Sequence, residues 1–131
     1  MLLSPAIALN STPFTACKTE HIMEQFGYLS AAETAELRKK NAVIVDIRDA
    51  DSFNQGHMPG AIHLDNHSVA AFIQQADMDA PTVVVCYHGH SSQSAAAYLH
   101  SQGFDQVYSM NGGFADWAQQ FPEQIERGNQ E

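Results

Sequence analysis

Two nearly continuous apolar runs stand out in the hydrophobic pattern of the chain. The first covers residues 42–47 and the second covers residues 82–85. Runs of this length are typical of strands that a parallel sheet buries on both faces. The pattern also predicts shorter strands at residues 61–64 and 106–109.

Helical patterns occupy the segments between these strands. Ser30 and Glu33 form a capping box, and either Asp65 or Asn66 is expected to cap a later helix. The predicted helical segments are a helix from the capping box to about residue 40, a turn at 51–55, a helix with apolar residues at 69, 70, 72 and 73, a helix over 91–100, and a final helix that carries apolar residues at 114, 117 and 121 and ends before Pro122.

Strands that alternate with helices predict an α/β fold, in which helices cover both faces of a mostly parallel sheet. The chain has 131 residues, of which 44% are hydrophobic, and this is enough for one domain. Residues 23–131 are expected to form that domain. Residues 1–22 lack a periodic pattern and are expected to be a disordered extension, with Met23 as a candidate start.

Charge and cysteine usage narrow the function classes. The formal net charge is −9, which disfavours nucleic acid and anionic membranes as partners. No apolar stretch approaches the roughly 18 residues of a membrane span. No cation precedes the apolar stretch near the amino terminus and Pro5 interrupts it, which disfavours a signal peptide. Two cysteines in unlike contexts favour a reducing cytoplasm over a disulfide scaffold.

Cys86 is the strongest candidate for chemistry. It follows the second long strand and precedes a helix, so the helix dipole and free backbone amides can stabilise its thiolate. The same amides can hold a bound anion. The alternative is a buried cysteine packed as a small hydrophobe, but the polar loop that follows does not resemble such a setting. That loop consists of Tyr87, His88, Gly89, His90, Ser91 and Ser92.

Several neighbouring residues allow two interpretations. His88 and His90 either supply positive charge or are exposed polar residues. Ser91 and Ser92 either point at the sulfur or cap the helix.

Residues outside the loop are given structural roles. Asp46 and Arg48 are interpreted as an ion pair that supports the loop, in preference to a catalytic acid and cation. Cys17 is interpreted as a bystander thiol. The seven histidines do not form a convincing metal site.

Three separate blocks of sequence resemble one family. Residues 45–48 with Phe53 and residues 56–63 resemble the amino-terminal signature of the rhodaneses. Cys86 and its loop resemble the rhodanese active site, and residues 112–117 resemble the carboxyl-terminal signature. Order and spacing agree over about residues 23–122, and the chain is most similar to short single-domain rhodaneses.

The resemblance implies a rhodanese-like single domain with a five-stranded sheet and the activity of a thiosulfate sulfurtransferase without a cofactor. It implies Cys86 as the nucleophile, the six residues after it as the substrate-binding loop, and Asp46 and Arg48 as signature residues. The implied partners are thiosulfate and a thiophilic acceptor, either cyanide or a dithiol protein such as thioredoxin. We expect a monomer or a weak homodimer.

The loop departs from the family pattern in its charge. Tyr87 and Ser91 stand where many rhodaneses carry arginine, and Gln93 replaces the lysine of the similar short rhodaneses. Residues 49–126 contain no lysine or arginine at all. Backbone amides, hydroxyls and histidines are therefore expected to bind the anionic donor.

Two other functions share the strand-end cysteine. Cysteine phosphatases and arsenate reductases need an arginine six residues after the cysteine to clamp the oxyanion, and Ser92 occupies that position. A persulfide carrier for a protein partner remains as the second alternative.

Overall fold

The computed structural model describes residues 26–128, in which five strands and five helices alternate. The strands are β1 (Gly27–Leu29), β2 (Val43–Asp46), β3 (Ile62–His63), β4 (Thr82–Val85) and β5 (Val107–Met110). The helices are α1 (Ala31–Arg38), α2 (Ala50–Gln55), α3 (Val69–Gln75), α4 (Ser91–Ser101) and α5 (Gly113–Gln120).

The strands form one sheet in the order β1-β5-β4-β2-β3, and every neighbouring pair is parallel. The predicted parallel α/β fold is therefore confirmed. Strand β4 lies in the middle, and all four of its residues are buried. Val84 pairs with Val45 on one side and with Ser109 on the other. The carboxyl ends of β2 and β4 consequently lie side by side at one edge of the sheet.

An apolar cluster covers each face of this sheet. One cluster contains Phe53 from α2 and Trp117 from α5, and the other contains Leu99 from α4. Trp117 is fully buried, and its ring centre lies 4.5 Å from that of Phe121. Trp117 is thus a core residue, and Phe114 and Phe121 are partly buried against the same cluster, as their helical spacing predicts.

Two elements differ from the sequence prediction. The pattern misses β1, because three residues that include Gly27 are too few for alternation to show. Helix α3 begins later than expected, with Ser68 at its N-cap. The predicted cap Asp65 instead accepts hydrogen bonds from the amides of His67 and Ser68, at 2.8 and 3.0 Å. It therefore closes the turn that precedes the helix.

The expectations for residues 1–22 and for Cys17 concern residues outside the described range. Among residues 26–128, the longest helices are too short or too polar to cross a membrane.

Candidate active site

Cys86 follows β4 directly, and two backbone amides and one hydroxyl lie within hydrogen-bond distance of its sulfur. The amides of Gly89 and Ser92 lie 3.1 and 3.3 Å from Sγ, and the Ser92 hydroxyl lies 3.3 Å from it. The residue is only 3% exposed. The loop therefore folds around the sulfur as the strand-to-helix transition predicts, with its donors aimed inward.

The pKa of the Cys86 thiol reflects two opposing effects. Burial raises it, because the thiolate loses water. Hydrogen bonds from the Ser92 hydroxyl and from the amides of Ser92, Gly89 and His88 lower it, and together they outweigh burial. The pKa therefore lies below the ordinary value for cysteine, so the thiolate forms more readily than that of an unperturbed cysteine.

Gly113, which follows β5, allows helix α5 to pack closely against the back of the loop. Gly113 has a φ of +61°, and a Cβ there would lie 2.5 Å from the Cys86 carbonyl oxygen. The absence of a side chain lets the Phe114 and Ala115 amides donate to the carbonyls of Cys86 and Tyr87, at 2.7 and 3.1 Å. The amino-terminal turn of α5 thus fixes the backbone on which the nucleophile sits.

Ser92 points at the sulfur and does not cap the helix. His90 occupies the N-cap of α4, and its side chain makes no capping hydrogen bond. The Ser92 hydroxyl is buried and lies 2.7 Å from the hydroxyl of Ser109 on β5. Ser91 is exposed.

Ser109 is a site residue that was not predicted from the sequence, and its only signal was its place in the strand predicted at residues 106–109. A buried hydroxyl requires a partner, and the partner of Ser109 reaches the nucleophile.

Tyr87 joins the loop to helix α2. Its hydroxyl bonds the carboxylate of Asp49, which is the N-cap of α2, and lies 2.9 Å from the Ser52 hydroxyl. The bond from Tyr87 and those from Ser52 lower the pKa of Asp49 to about 2. Asp49 and Ser52 could not be assigned to the site from the sequence, since a helix cap does not reveal which distant side chain it will also bind.

The predicted ion pair between Asp46 and Arg48 is present and buried. Arg48 Nη2 lies 2.8 Å from Asp46 Oδ2, and Nε lies 3.0 Å from Oδ1. Nη2 also donates to the Gly56 carbonyl at 2.6 Å. The guanidinium lies over the ring of Phe114, 4.2 Å from its centre. The guanidinium of Arg48 is therefore already bound to groups of the protein itself.

The histidines of the loop and of the amino-terminal signature have different surroundings. His88 and His90 are exposed at the loop surface. His57 Nδ1 lies 2.7 Å from the Phe53 carbonyl oxygen, and His63 Nε2 lies 2.6 Å from that of Arg48. Across residues 26–128, no three His, Cys, Asp or Glu side chains converge as metal ligands would.

A parallel sheet with this cysteine loop defines a known class of domain. Residues 30–120 match the rhodanese-like domain family, so the chain belongs to the rhodanese-like proteins. It is 58% identical over 110 residues to the thiosulfate sulfurtransferase GlpE of Pseudomonas putida, covering 83% of this chain and 100% of that protein. The GlpE of Pseudomonas entomophila is 56% identical over 109 residues, with the same coverage.

Solved structures agree on the fold. A rhodanese-like domain protein from Staphylococcus aureus superposes with a TM-score of 0.68 at 19% identity, over 79% of this chain and 100% of that chain. A Rhodopseudomonas palustris protein described as of unknown function and a possible tyrosine phosphatase gives 0.63 at 24% identity, over 84% of this chain and 96% of that chain.

Proposed function

We propose that this protein is a thiosulfate sulfurtransferase in which Cys86 carries the transferred sulfur. The observation that supports this most directly is the set of donors from Gly89 and Ser92 on a buried sulfur whose pKa is lowered. The same geometry suits a thiolate and a persulfide, because both carry negative charge that fixed amides stabilise without rearrangement. The names of the similar Pseudomonas proteins point to the same activity.

The first half-reaction forms the persulfide. The Cys86 thiolate attacks the outer sulfur of thiosulfate, a new S–S bond forms, and the S–S bond of thiosulfate breaks. Sulfite leaves with the electron pair, and Cys86 holds the outer sulfur as a persulfide anion. No oxidant is needed, because one S–S bond replaces another. In this scheme Tyr87, His88, Gly89, His90, Ser91 and Ser92 form the surface that receives the dianion.

The second half-reaction returns the enzyme to its starting state. Cyanide or an acceptor thiolate attacks the outer sulfur, the persulfide bond breaks, and the Cys86 thiolate leaves. A dithiol protein such as thioredoxin fits the acceptor role chemically, because its second thiol can release the sulfur. A thiolate cycle of this kind belongs in a reducing compartment, so the cytoplasm is the proposed location.

Asp46 and Arg48 have a supporting role in this proposal. The buried pair holds the end of β2 next to Cys86, and Arg48 contacts the ring of Phe114, whose amide bonds the Cys86 carbonyl. Neither side chain contacts the sulfur, so their role is to position the loop.

The geometry disfavours the phosphatase alternative. That chemistry needs a guanidinium from the sixth residue after the cysteine, whereas Ser92 presents a hydroxyl there, and the nearby Arg48 is bound to Asp46. A persulfide carrier would use the same first half-reaction and would differ only in its acceptor.

The test is the mass of the intact protein after incubation with thiosulfate. We expect a gain of one sulfur atom and its removal by cyanide, with formation of thiocyanate. Cys86→Ser should show neither, because an alcohol provides no anion at neutral pH. Cys17→Ser should behave as the wild type.

Two results would contradict the proposal. They are sulfur uptake by the Cys86→Ser variant and failure of the wild type to gain mass. Uptake that cyanide discharges slowly but a protein dithiol discharges quickly would instead favour the carrier.

A further inference from the structure

The buried hydroxyl of Ser109 lies outside the loop that surrounds the nucleophile, yet it is linked to it. Ser109 is fully buried on β5, and its Oγ lies 2.7 Å from Ser92 Oγ. Ser92 Oγ in turn lies 3.3 Å from Cys86 Sγ. Two serines and the sulfur therefore form a chain of three atoms joined by two hydrogen bonds.

Counting hydrogens along this chain distinguishes the two states of the sulfur. Each of the two hydrogen bonds uses one hydrogen atom. In the thiolate state only the two serine hydroxyls carry a hydrogen, so the hydrogens and the bonds are equal in number. Ser109 then donates to Ser92, and Ser92 donates to the sulfur. The thiol state has a third hydrogen. Among the described residues, no further acceptor bonds the Ser109 hydroxyl, so one hydrogen lacks an acceptor when the sulfur is protonated.

We propose that Ser109 is a positioning residue whose hydroxyl directs the Ser92 hydroxyl toward the Cys86 sulfur and thereby favours the thiolate. Ser109 does not touch the sulfur and acts only through Ser92. Its own position is fixed by strand pairing, since it lies opposite Val84 on β4 and opposite Tyr28 on β1. A strand residue thus determines that the Ser92 hydroxyl is the donor in its hydrogen bond to the sulfur.

Charged groups do not provide an equivalent effect on the sulfur. The causes that shift the pKa of Cys86 are burial and hydrogen bonds, and no charged side chain is among them. The ionisable side chains on the adjoining loop and elements are Tyr28, Asp46, Arg48, Tyr87, His88, His90, Tyr98, His100, Tyr108 and Asp116. The direction of a hydroxyl dipole therefore has more influence here than it would beside a compensating cation.

The test uses two isosteric variants, Ser109→Thr and Ser109→Val. Both add bulk to the same buried site, and they differ in that valine carries a methyl group where threonine carries its hydroxyl. The rate of alkylation of Cys86 by iodoacetamide is measured against pH, with the Cys86 peptide read by mass spectrometry so that Cys17 does not contribute. Because only the thiolate reacts, the rate falls as pH drops through the pKa of Cys86.

We expect the midpoint of this profile to be higher for Ser109→Val than for Ser109→Thr. At one pH unit below the wild-type midpoint, the valine variant should react about three- to tenfold more slowly than the threonine variant. At high pH, where both sulfurs are ionised, the two rates should agree within about twofold. Ser109→Ala, which adds no bulk, should follow the valine variant.

Thr82→Val is the matched control. Thr82 is also buried, and its hydroxyl bonds the Ala80 carbonyl at 3.2 Å at the opposite end of β4. Its loss should leave the alkylation midpoint unchanged.

Equal midpoints for the threonine and valine variants would overturn the proposal, as would a rate difference that persists at high pH. The inference rests on the proposed use of Cys86 as a thiolate. Alkylation needs no thiosulfate, however, so failure of this test and failure of the proposed sulfur transfer are observed separately.

Discussion

The loops that follow β2 and β4 occupy equivalent places at one edge of the sheet, yet they treat charge in opposite ways. After β2, the cation of Arg48 is neutralised by the carboxylate of Asp46 two residues earlier. After β4, two amides and one hydroxyl surround the Cys86 sulfur, and no cation among residues 26–128 is hydrogen-bonded to it. The first loop thus neutralises its own charge, whereas the second offers fixed dipoles to a negative charge on the sulfur.

This difference explains how a chain with few cations can operate on an anion. The strand-end arginine is already paired, so it contributes rigidity and little attraction for a ligand. The amides of the cysteine loop provide partial charges that stay fixed whether or not an anion is bound.

Gly113→Ala should produce the largest loss. A Cβ at position 113 would lie 2.5 Å from the Cys86 carbonyl oxygen, where only backbone could yield. We expect a destabilisation of about 3–5 kcal/mol from left-handed strain and overpacking combined. Displacement of the loop should lower sulfur transfer about 100-fold. Urea unfolding and steady-state kinetics provide the two measurements.

Gly60→Ala is the matched control for this variant. Gly60 also has a positive φ, at +79°, but a Cβ there would meet nothing within 4 Å. Strain alone should destabilise it by about 1–2 kcal/mol, without loss of activity in the folded protein. Equal effects at the two positions would show that contact with the cysteine loop is unimportant.

Asp46→Asn tests the neutralised loop. The variant leaves the Arg48 charge buried without its partner, which should destabilise the protein by about 3 kcal/mol. Adding Arg48→Met removes that charge, so the double variant should be more stable than Asp46→Asn alone. Urea unfolding of both variants measures this difference. A double variant less stable than the single one would mean that the arginine stabilises the fold through other contacts, such as those to Gly56 and Phe114.

Tyr87→Phe tests the connection between the cysteine loop and α2. Losing the hydroxyl removes the largest cause of the low pKa of Asp49, so that pKa should rise from about 2 toward its ordinary value. Because the folded pKa is depressed, the contribution of Asp49 to stability is present above the unfolded pKa and is lost as pH falls toward 2. NMR titration of the carboxyl group measures the change. An unchanged titration midpoint for Asp49 would show that the hydrogen bonds from Ser52 alone lower its pKa.

The sequence predicted elements whose patterns are local. The long strand at 82–85 and the capping box at Ser30 are confirmed, because burial and capping leave signals within a few residues. The pairing of Asp46 with Arg48 was also predictable, since alternate residues of a strand share a face. Strand β1 was not, because three residues are too short for a period to appear.

The contacts that the sequence left undetermined join residues distant in the chain. Ser109 lies 17 residues from Ser92, and Tyr87 lies 38 residues from Asp49. Such contacts depend on strand order and register, which hydrophobic periodicity does not specify. His88 and His90 are exposed on either side of Gly89, and the φ of +95° at Gly89 is likewise a feature that hydrophobic periodicity does not specify.

The smallest predicted effect concerns a charge at the rim of the cysteine loop. Gln93 lies in the first turn of α4, and its Nε2 donates to the Gly89 carbonyl at 3.0 Å. Lysine at this position keeps a donor and adds a positive charge near the route of an incoming dianion. It also opposes the positive end of the helix, which costs less than about 1 kcal/mol. Gln93→Lys should therefore raise kcat/KM for thiosulfate about two- to fivefold at low salt.

Two further measurements show whether this gain in kcat/KM depends on the position of the charge. One repeats the kinetics at higher salt, and the other places the lysine at a neighbouring residue. Screening lengths fall from about 30 Å at 0.01 M salt to about 10 Å at 0.1 M, so the gain should shrink over that range. Ser94→Lys adds the same charge about 100° further round the helix, and should give a smaller increase. An equal increase from both variants would mean that the net charge of −9 limits capture of the donor. No increase from Gln93→Lys would indicate that the loop amides already saturate the attraction, and would leave His88 and His90 as the next positions to test.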